Sequence, residues 1–97
     1  LHKAGVRVIA QTLPPRSGFV KKGYTPEMEA LRVRINEWIR DSALFDYMVD
    51  ADALLRDPKN PSFTDERYHQ GDHLHPNQAG GMLLAQAYDL QKLTGEA

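Results

Sequence analysis

Cysteine is absent from this sequence of 97 residues, and neither sign of charge dominates it. Disulfides and thiolate zinc sites are therefore excluded, although no compartment is assigned, because many secreted proteins also lack cysteine. With 12 lysines and arginines against 13 acidic residues, the net charge is −1, which provides no basic surface for phosphate backbones or anionic lipid. The composition predicts no nucleic-acid partner.

Long hydrophobic runs are also missing. No stretch approaches the roughly 20 apolar residues that a membrane-spanning helix needs, so the sequence predicts no membrane span. A chain of this length forms one domain at most and buries only roughly 60 to 65% of its unfolded surface. The chain can therefore form only one small hydrophobic core.

Two short segments predict strands. Residues 6–12 form a nearly continuous apolar run, which is typical of a parallel strand covered on both faces. In residues 45–50, aromatic and β-branched residues alternate with more polar ones, and this pattern predicts a second strand. With a helix between them, the two segments predict a right-handed, parallel βαβ unit.

The intervening helix has a strong start at Thr25-Pro26-Glu27, because Thr can cap it, Pro suits its first position and the acid complements its dipole. Its apolar residues fall on one stripe, which predicts packing on the sheet with the charged residues in solvent. The stripe consists of Met28, Leu31, Ile35, Trp38 and Ile39, and the charged face of Arg32, Arg34, Glu37 and Arg40.

Two further caps are predicted, Asp50 for a short helical turn over residues 51–55 and Asn77 for a last helix over residues 78–93. Gly80 and Gly81 in the last helix each cost on the order of 1 kcal/mol relative to Ala. They predict that this helix start lies very close to other backbone or to a site. The loop over residues 13–24, which leaves a strand end, either forms one wall of a ligand crevice or is a plain connector.

One segment has the residue types of a chemical site. Asp72 and His75 lie three residues apart between a polar loop and an apolar helix, a spacing that lets a carboxylate and an imidazole meet across a tight turn. A serine hydrolase needs such a pair, since the base takes the hydroxyl proton and the acid holds the other ring nitrogen. The pair is a candidate orienting acid and general base.

Two other interpretations of this segment stay open. His69, Asp72, His73 and His75 are all metal-ligand types, but no further distinctive ligand occurs elsewhere, and we predict neither metal nor cofactor. Asp72 and His75 can also simply cap and satisfy the turn. The nucleophile is not identified, because none of Ser17, Ser42 and Ser62 lies in a G-x-S-x-G turn. Ser17 alone is placed where it could face the site.

The segment Asp72-His73-Leu74-His75-Pro76-Asn77-Gln78-Ala79-Gly80 resembles the last conserved block of the SGNH, or GDSL-type, lipase and esterase family, whose D-x-x-H-P pattern carries the triad Asp and His. Upstream pieces are similar to the same family: residues 6–12 followed by Leu13-Pro14-Pro15, then Tyr24-Thr25-Pro26-Glu27, Trp38-Ile39-Arg40 and Val49-Asp50. The resemblance covers almost the whole chain, but only the C-terminal half of such an enzyme.

The resemblance implies an α/β fold, part of a three-layer α/β/α, flavodoxin-like parallel sheet with two strands and two main helices in this chain. It implies Asp72 as orienting acid and His75 as base of a serine esterase or lipase acting on small acyl esters of an alcohol, lipid or carbohydrate. The family's nucleophilic Ser and its oxyanion Gly and Asn have no counterpart here. We therefore expect residues 1–97 to be the C-terminal portion of one domain, inactive without its N-terminal half.

The start of the chain agrees with that expectation, since Leu1-His2-Lys3-Ala4-Gly5 resembles the end of a helix. A sheet of two strands would expose an unpaired edge and an apolar face, which predicts self-association or marginal stability. The second functional hypothesis is a non-catalytic α/β interaction or ligand-binding module that retains the turn without the nucleophile.

Overall fold

Two parallel strands and three α-helices form the described part of the chain, which is residues 5–18 and 23–88 of a computed structural model. The elements in order are β1 (Ile9–Gln11), α1 (Pro26–Asp41), β2 (Tyr47–Val49), α2 (Ala51–Leu55), a 3₁₀ turn (Glu66–Tyr68) and α3 (Gln78–Ala87). The predicted α/β class is confirmed. Across these residues, none of the helices combines the length and the apolar character that crossing a bilayer requires.

The two strands pair in parallel, as the order strand, helix, strand predicts, with Ile9 opposite Tyr47. Each strand is only three residues long, shorter than predicted. One reason lies before β1, where the Asp46 carboxylate accepts the Val8 N–H at 2.7 Å in place of a backbone carbonyl. The Asp46 N–H in turn donates to the Val8 carbonyl at 2.8 Å. The Asp46 side chain thus continues the pairing of the two strands where the regular backbone hydrogen bonds stop.

The predicted helix caps are confirmed. Thr25 Oγ1 accepts the Met28 N–H at 3.2 Å, and Pro26 is the first residue of α1. Asp50 caps α2 and Asn77 caps α3 through their side-chain oxygens. The last predicted helical residues, 89–93, lie outside the described residues.

The packing of α1 differs from the prediction made from its apolar stripe. Met28, Leu31 and Trp38 are 48%, 50% and 55% exposed, and of the stripe only Ile39 is buried. The other buried residues of α1 are Arg32 and Asn36. The prediction is therefore wrong for most of the stripe and for Arg32, whereas Arg34 and Glu37 are exposed as predicted. The reason is that polar side chains of α1 bind polar groups at the strand ends, which turns the stripe outward.

Arg32 and Arg40 join α1 to the region that follows β2. Arg32 donates to Asp52 at 2.7 Å and, through Nε and Nη2, to Glu29 at 2.9 and 2.7 Å. Arg40 donates to Asp50 at 2.7 Å and to Asp52 at 2.8 Å. Desolvation alone would raise the pKa of Asp50, but its hydrogen bonds, led by the one from Arg40, lower that pKa to about 2. Asp50 is thus ionised at neutral pH, and both carboxylates are paired with arginines of α1.

The same network reaches the end of β1. The Thr12 hydroxyl donates to Asp50 at 2.9 Å and accepts the Asp52 N–H at 2.9 Å. The Asn36 side chain accepts the Leu13 N–H at 2.7 Å and donates to the Leu13 carbonyl at 2.9 Å. The carboxyl ends of both strands are therefore tied to one helix by polar contacts.

Arg32→Met should lower the free energy of unfolding by about 3 kcal/mol, because it removes one partner of a buried ion pair and leaves Asp52 under-compensated. Urea unfolding followed by circular dichroism measures this loss. The matched control is Arg34→Met on the exposed face of α1, which should change stability by less than about 0.5 kcal/mol. Equal losses in the two variants would contradict the role given to Arg32.

Lowering the pH should destabilise the fold, because Asp50 becomes protonated. Its pKa is about 2 in the folded chain against an ordinary 3.8, so its contribution is complete above about pH 4 and is lost as the pH falls through about 2. The contribution is about 2 kcal/mol. Asp50→Asn should flatten the fall in unfolding free energy over this range, whereas Asp41→Asn, at an exposed site, should leave the slope unchanged. Parallel pH profiles for Asp50→Asn and the unmodified chain would rule out this contribution.

Candidate functional site

Asp72 and His75 meet across the turn before α3, as their spacing predicts. Asp72 Oδ2 lies 2.5 Å from His75 Nδ1. Asp72 Oδ1 accepts the N–H groups of Leu74 at 3.0 Å and His75 at 2.9 Å. The hydrogen bond with the His75 side chain, followed by those two N–H groups, holds the pKa of Asp72 well below its ordinary range. One carboxylate oxygen shapes the turn while the other orients the imidazole.

This contact selects the tautomer that a general base requires. An ionised carboxylate can only accept hydrogen bonds, so the neutral His75 ring carries its proton on Nδ1. Nε2, on the opposite side of the ring, is then the nitrogen that carries no proton and can accept a hydrogen bond. The His75 side chain is 63% exposed, which leaves its ring accessible.

Backbone and side-chain contacts on both sides fix the position of this turn. His69 and Pro76 form an isolated antiparallel bridge, and the Gln70 N–H donates to the His75 carbonyl at 3.0 Å. The Asn77 amide donates to the His69 carbonyl at 3.2 Å while its oxygen caps α3. The candidate base is thus held between a closed loop and a capped helix.

Gly80 allows α3 to begin against this loop. A Cβ at Gly80 would lie 2.5 Å from the Tyr68 carbonyl oxygen and 3.2 Å from Pro76 Cβ. The predicted close approach is confirmed for Gly80. It is wrong for Gly81, where an added Cβ would meet no atom of the described residues within 4 Å.

An open cavity of about 530 Å³ adjoins His75. Its walls include Leu13 and Arg16 of the loop after β1, Leu74 beside His75, and three residues of the α1 stripe, which are Met28, Leu31 and Ile35. The loop after β1 therefore lines a cavity instead of serving as a plain connector. The α1 residues that were predicted to be core form much of this surface.

Ser17 does not line this cavity. It belongs to a second cavity of about 320 Å³ together with Ser62, whose carbonyl accepts the Ser17 N–H at 2.9 Å. Ser42 follows α1, and its hydroxyl accepts the Leu44 N–H at 3.2 Å. Within the described part of the chain, which includes all three serines, none shares the cavity of His75.

The histidines next to the pair have contacts of their own. His69 Nδ1 accepts the Gly71 N–H at 2.9 Å, and the His69 and His73 rings lie 4.6 Å apart. His73 has a left-handed backbone with φ 63°, and a Cβ at Gly18 would lie 3.1 Å from its ring. Among residues 5–18 and 23–88, no group of three or more His, Cys, Asp or Glu side chains is arranged to hold a metal ion.

Arg16 is a residue of this site that the sequence did not single out. Among the described residues its Nε is buried without a hydrogen-bond partner, and its guanidinium lies 5.7 Å from the centroid of the Tyr24 ring. The only available signal was its position in the loop after β1, next to Pro15. A charged residue in a predicted crevice loop is a candidate ligand contact.

Comparisons with known proteins leave the site to be interpreted from its own geometry. A scan against models of protein families returns no match, and a search of curated proteins returns none either. The Asp72–His75 pair and the cavity beside it are therefore the basis for a functional proposal.

Proposed function

We propose that this chain supplies the acid and base of a serine ester hydrolase of the SGNH, or GDSL, type. The observation that carries the proposal is the 2.5 Å contact between Asp72 Oδ2 and His75 Nδ1 at the edge of an open cavity. The quoted resemblance of residues 72–80 to that family supports the same assignment.

In the proposed reaction, His75 Nε2 takes the proton from a serine hydroxyl as the serine oxygen attacks the ester carbonyl. The imidazolium then gives that proton to the leaving alcohol, and water releases the acyl group by the same two proton transfers in reverse. Asp72 stabilises the imidazolium. This matters here because α3 begins only three residues later, and the positive end of a helix dipole disfavours a cationic ring.

The nucleophile and the oxyanion donors belong, in this proposal, to the N-terminal half of a three-layer α/β/α domain. Two observations support such a partner layer. Within residues 5–18 and 23–88, β1 and β2 form a sheet of two strands, each of which leaves one edge unpaired. The apolar stripe of α1 faces outward, and a contiguous exposed stripe of this kind marks an interaction or ligand surface.

A non-catalytic α/β module that binds a ligand or partner is the second candidate. It is favoured by the position of the serines, since none in the described residues shares a cavity with His75. In this alternative, Asp72 fixes the turn and His75 is only part of a binding surface.

Hydrolysis of p-nitrophenyl acetate separates the two candidates. With the nucleophile-bearing half supplied, Asp72→Asn should lower kcat by up to about 10⁴-fold, because the ring is then held in the wrong tautomer. His75→Ala should remove the base and cause a loss at least as large. The chain alone should show no hydrolysis that depends on His75.

The matched control is Asp57→Asn, an acid-to-amide change in the connector after α2, where the carboxylate accepts the Lys59 N–H at 2.9 Å. Its kcat should stay within about twofold of the unmodified enzyme, as expected for a change distant from the reaction. Turnover near the unmodified rate in both Asp72→Asn and His75→Ala would exclude the hydrolase.

A further inference from the structure

We infer that His69 is a positioning residue for the Asp72–His75 pair, and that protonation of His69 releases the turn on which the pair lies. The His69 side chain accepts hydrogen bonds from this turn, and a protonated imidazole can no longer accept any. The inference goes beyond the proposed function, because it concerns what shapes the turn and applies to an esterase and to a binding module alike.

The ring of His69 binds the residues on both sides of Asp72. His69 Nδ1 accepts the Gly71 N–H at 2.9 Å and, more weakly, the His73 N–H at 3.4 Å. Asp72 itself accepts the next two N–H groups along the chain through Oδ1. The turn of residues 71–75 is thus held by two side chains, one of which is the carboxylate of the pair and the other the imidazole of His69.

The backbone of this turn requires such contacts. Gly71 and His73 are both left-handed, with φ of 105° and 63°. That conformation is unfavourable for a residue other than glycine, so His73 keeps it only where its surroundings hold it. The His73 ring packs edge-on against Phe63, with ring centroids 6.4 Å apart, and Gly18 leaves room for it. Loss of the acceptor on His69 would remove the hydrogen bonds at both left-handed residues.

His69 is itself anchored, so its ring can hold the turn. Its backbone forms the antiparallel bridge with Pro76, and its carbonyl accepts the Asn77 amide at 3.2 Å. The Asn77 side chain also caps α3. The His69 ring therefore connects the turn to the fixed start of this helix.

These contacts assign the tautomer of His69. Because Nδ1 accepts N–H groups, it carries no proton, and the neutral ring has its proton on Nε2. Nε2 is buried and has no hydrogen-bond partner among the described residues, so within them the ring is held through Nδ1. A second proton goes to Nδ1 and turns the acceptor into a donor that faces the Gly71 N–H. His69 thus has the opposite tautomer to His75.

The charged and titratable groups around His69 act in opposite directions. The His73 ring lies on it with centroids 4.6 Å apart, so a cation on one ring disfavours a cation on the other. Asp65 interacts electrostatically with His69 and favours the cation, although Arg67 binds the same carboxylate at 2.9 Å. The helix packed on this region, α3, has no titratable side chain in its described residues.

Protonation of His75 does not have the same effect on the turn. Its Nδ1 already carries the proton that is directed at Asp72, so a second proton goes to Nε2 and leaves that contact in place. Acid therefore opens the turn through His69 and not through His75.

Hydrogen exchange of backbone amides, measured by NMR on the chain, tests the inference. Between about pH 7.5 and about pH 5, where histidines titrate, the protection factors of the Gly71 and His73 amides should fall about tenfold, the effect of losing an ordinary hydrogen bond. His69→Asn should keep both within about twofold over this range, because the Asn oxygen takes the place of Nδ1 and does not titrate.

Three controls accompany this measurement. His69→Gln places its polar group at the position of Nε2 instead, so both amides should be poorly protected at either pH. His73→Asn makes the same change at the other ring of the stack, in a residue that tolerates left-handed backbone, and should retain the fall at Gly71. The amides of α1 should keep their protection in every variant, which shows that the rest of the fold is intact.

The inference is overturned if nitrogen-15 NMR shows a neutral His69 ring protonated at Nδ1, or if His69→Asn and His69→Gln have the same effect. It is also overturned if the fall with pH persists in His69→Asn, since another group then causes it, or if the amides of α1 fall equally, since the whole chain then unfolds. None of these results depends on turnover. Failure to find hydrolysis that depends on His75 would remove the esterase and leave this role of His69 in place.

Discussion

The buried ion pair between Arg32 and Asp52 is the contact on which the described structure depends. Their side chains are 5% and 7% exposed, and Arg40 adds a second cation to the same carboxylate. An isolated charge at such a position is strongly unfavourable, so each group of the pair requires the other. Polar residues are as prominent as apolar ones among the buried positions: Thr12, Arg32, Asn36, Asp52 and Thr64 against Ile39, Val49, Ala51 and Leu55. Directional bonds therefore fix this arrangement as much as apolar burial does.

This network explains why a candidate site lies where it does. Leu13 and Asp52 follow strand ends and bind Arg32 of α1. Thr12 joins the same network through Asp50, so the loop after β1 is held in place. The Thr64 hydroxyl also donates to the Pro15 carbonyl at 2.8 Å, next to Arg16. That loop then forms one wall of a cavity whose other side carries His75. Crevices at the carboxyl ends of parallel strands are where α/β proteins place ligands.

The features predicted from the sequence are those that depend on neighbouring residues. Thr25, Asp50 and Asn77 each cap a helix through an N–H three residues away, and Asp72 meets His75 at the same separation. Such contacts need only a short segment to close. The parallel pairing was also predicted, because the order of the elements determines it.

The features that the sequence did not predict depend on distant partners. Arg32 is buried because Leu13 lies 19 residues before it and Asp52 lies 20 after it, and helical periodicity contains no information about either. Because Arg32 faces the interior, the apolar stripe of α1 is turned toward solvent. Arg16 was missed for the same reason, since its surroundings come from Tyr24 and α1 and not from its neighbours in the loop. The close approach at Gly80, by contrast, was visible as an unfavourable residue inside a helix.

Asp72 holds the His75 ring through Nδ1, the arrangement that a general base requires. Nitrogen-15 NMR of the His75 ring tests this arrangement, because the two ring nitrogens give separate signals according to which one carries the proton. We expect a neutral ring protonated at Nδ1, with a Hδ1 signal that disappears in Asp72→Asn. A neutral ring protonated at Nε2, or a tautomer unaffected by Asp72→Asn, would contradict it.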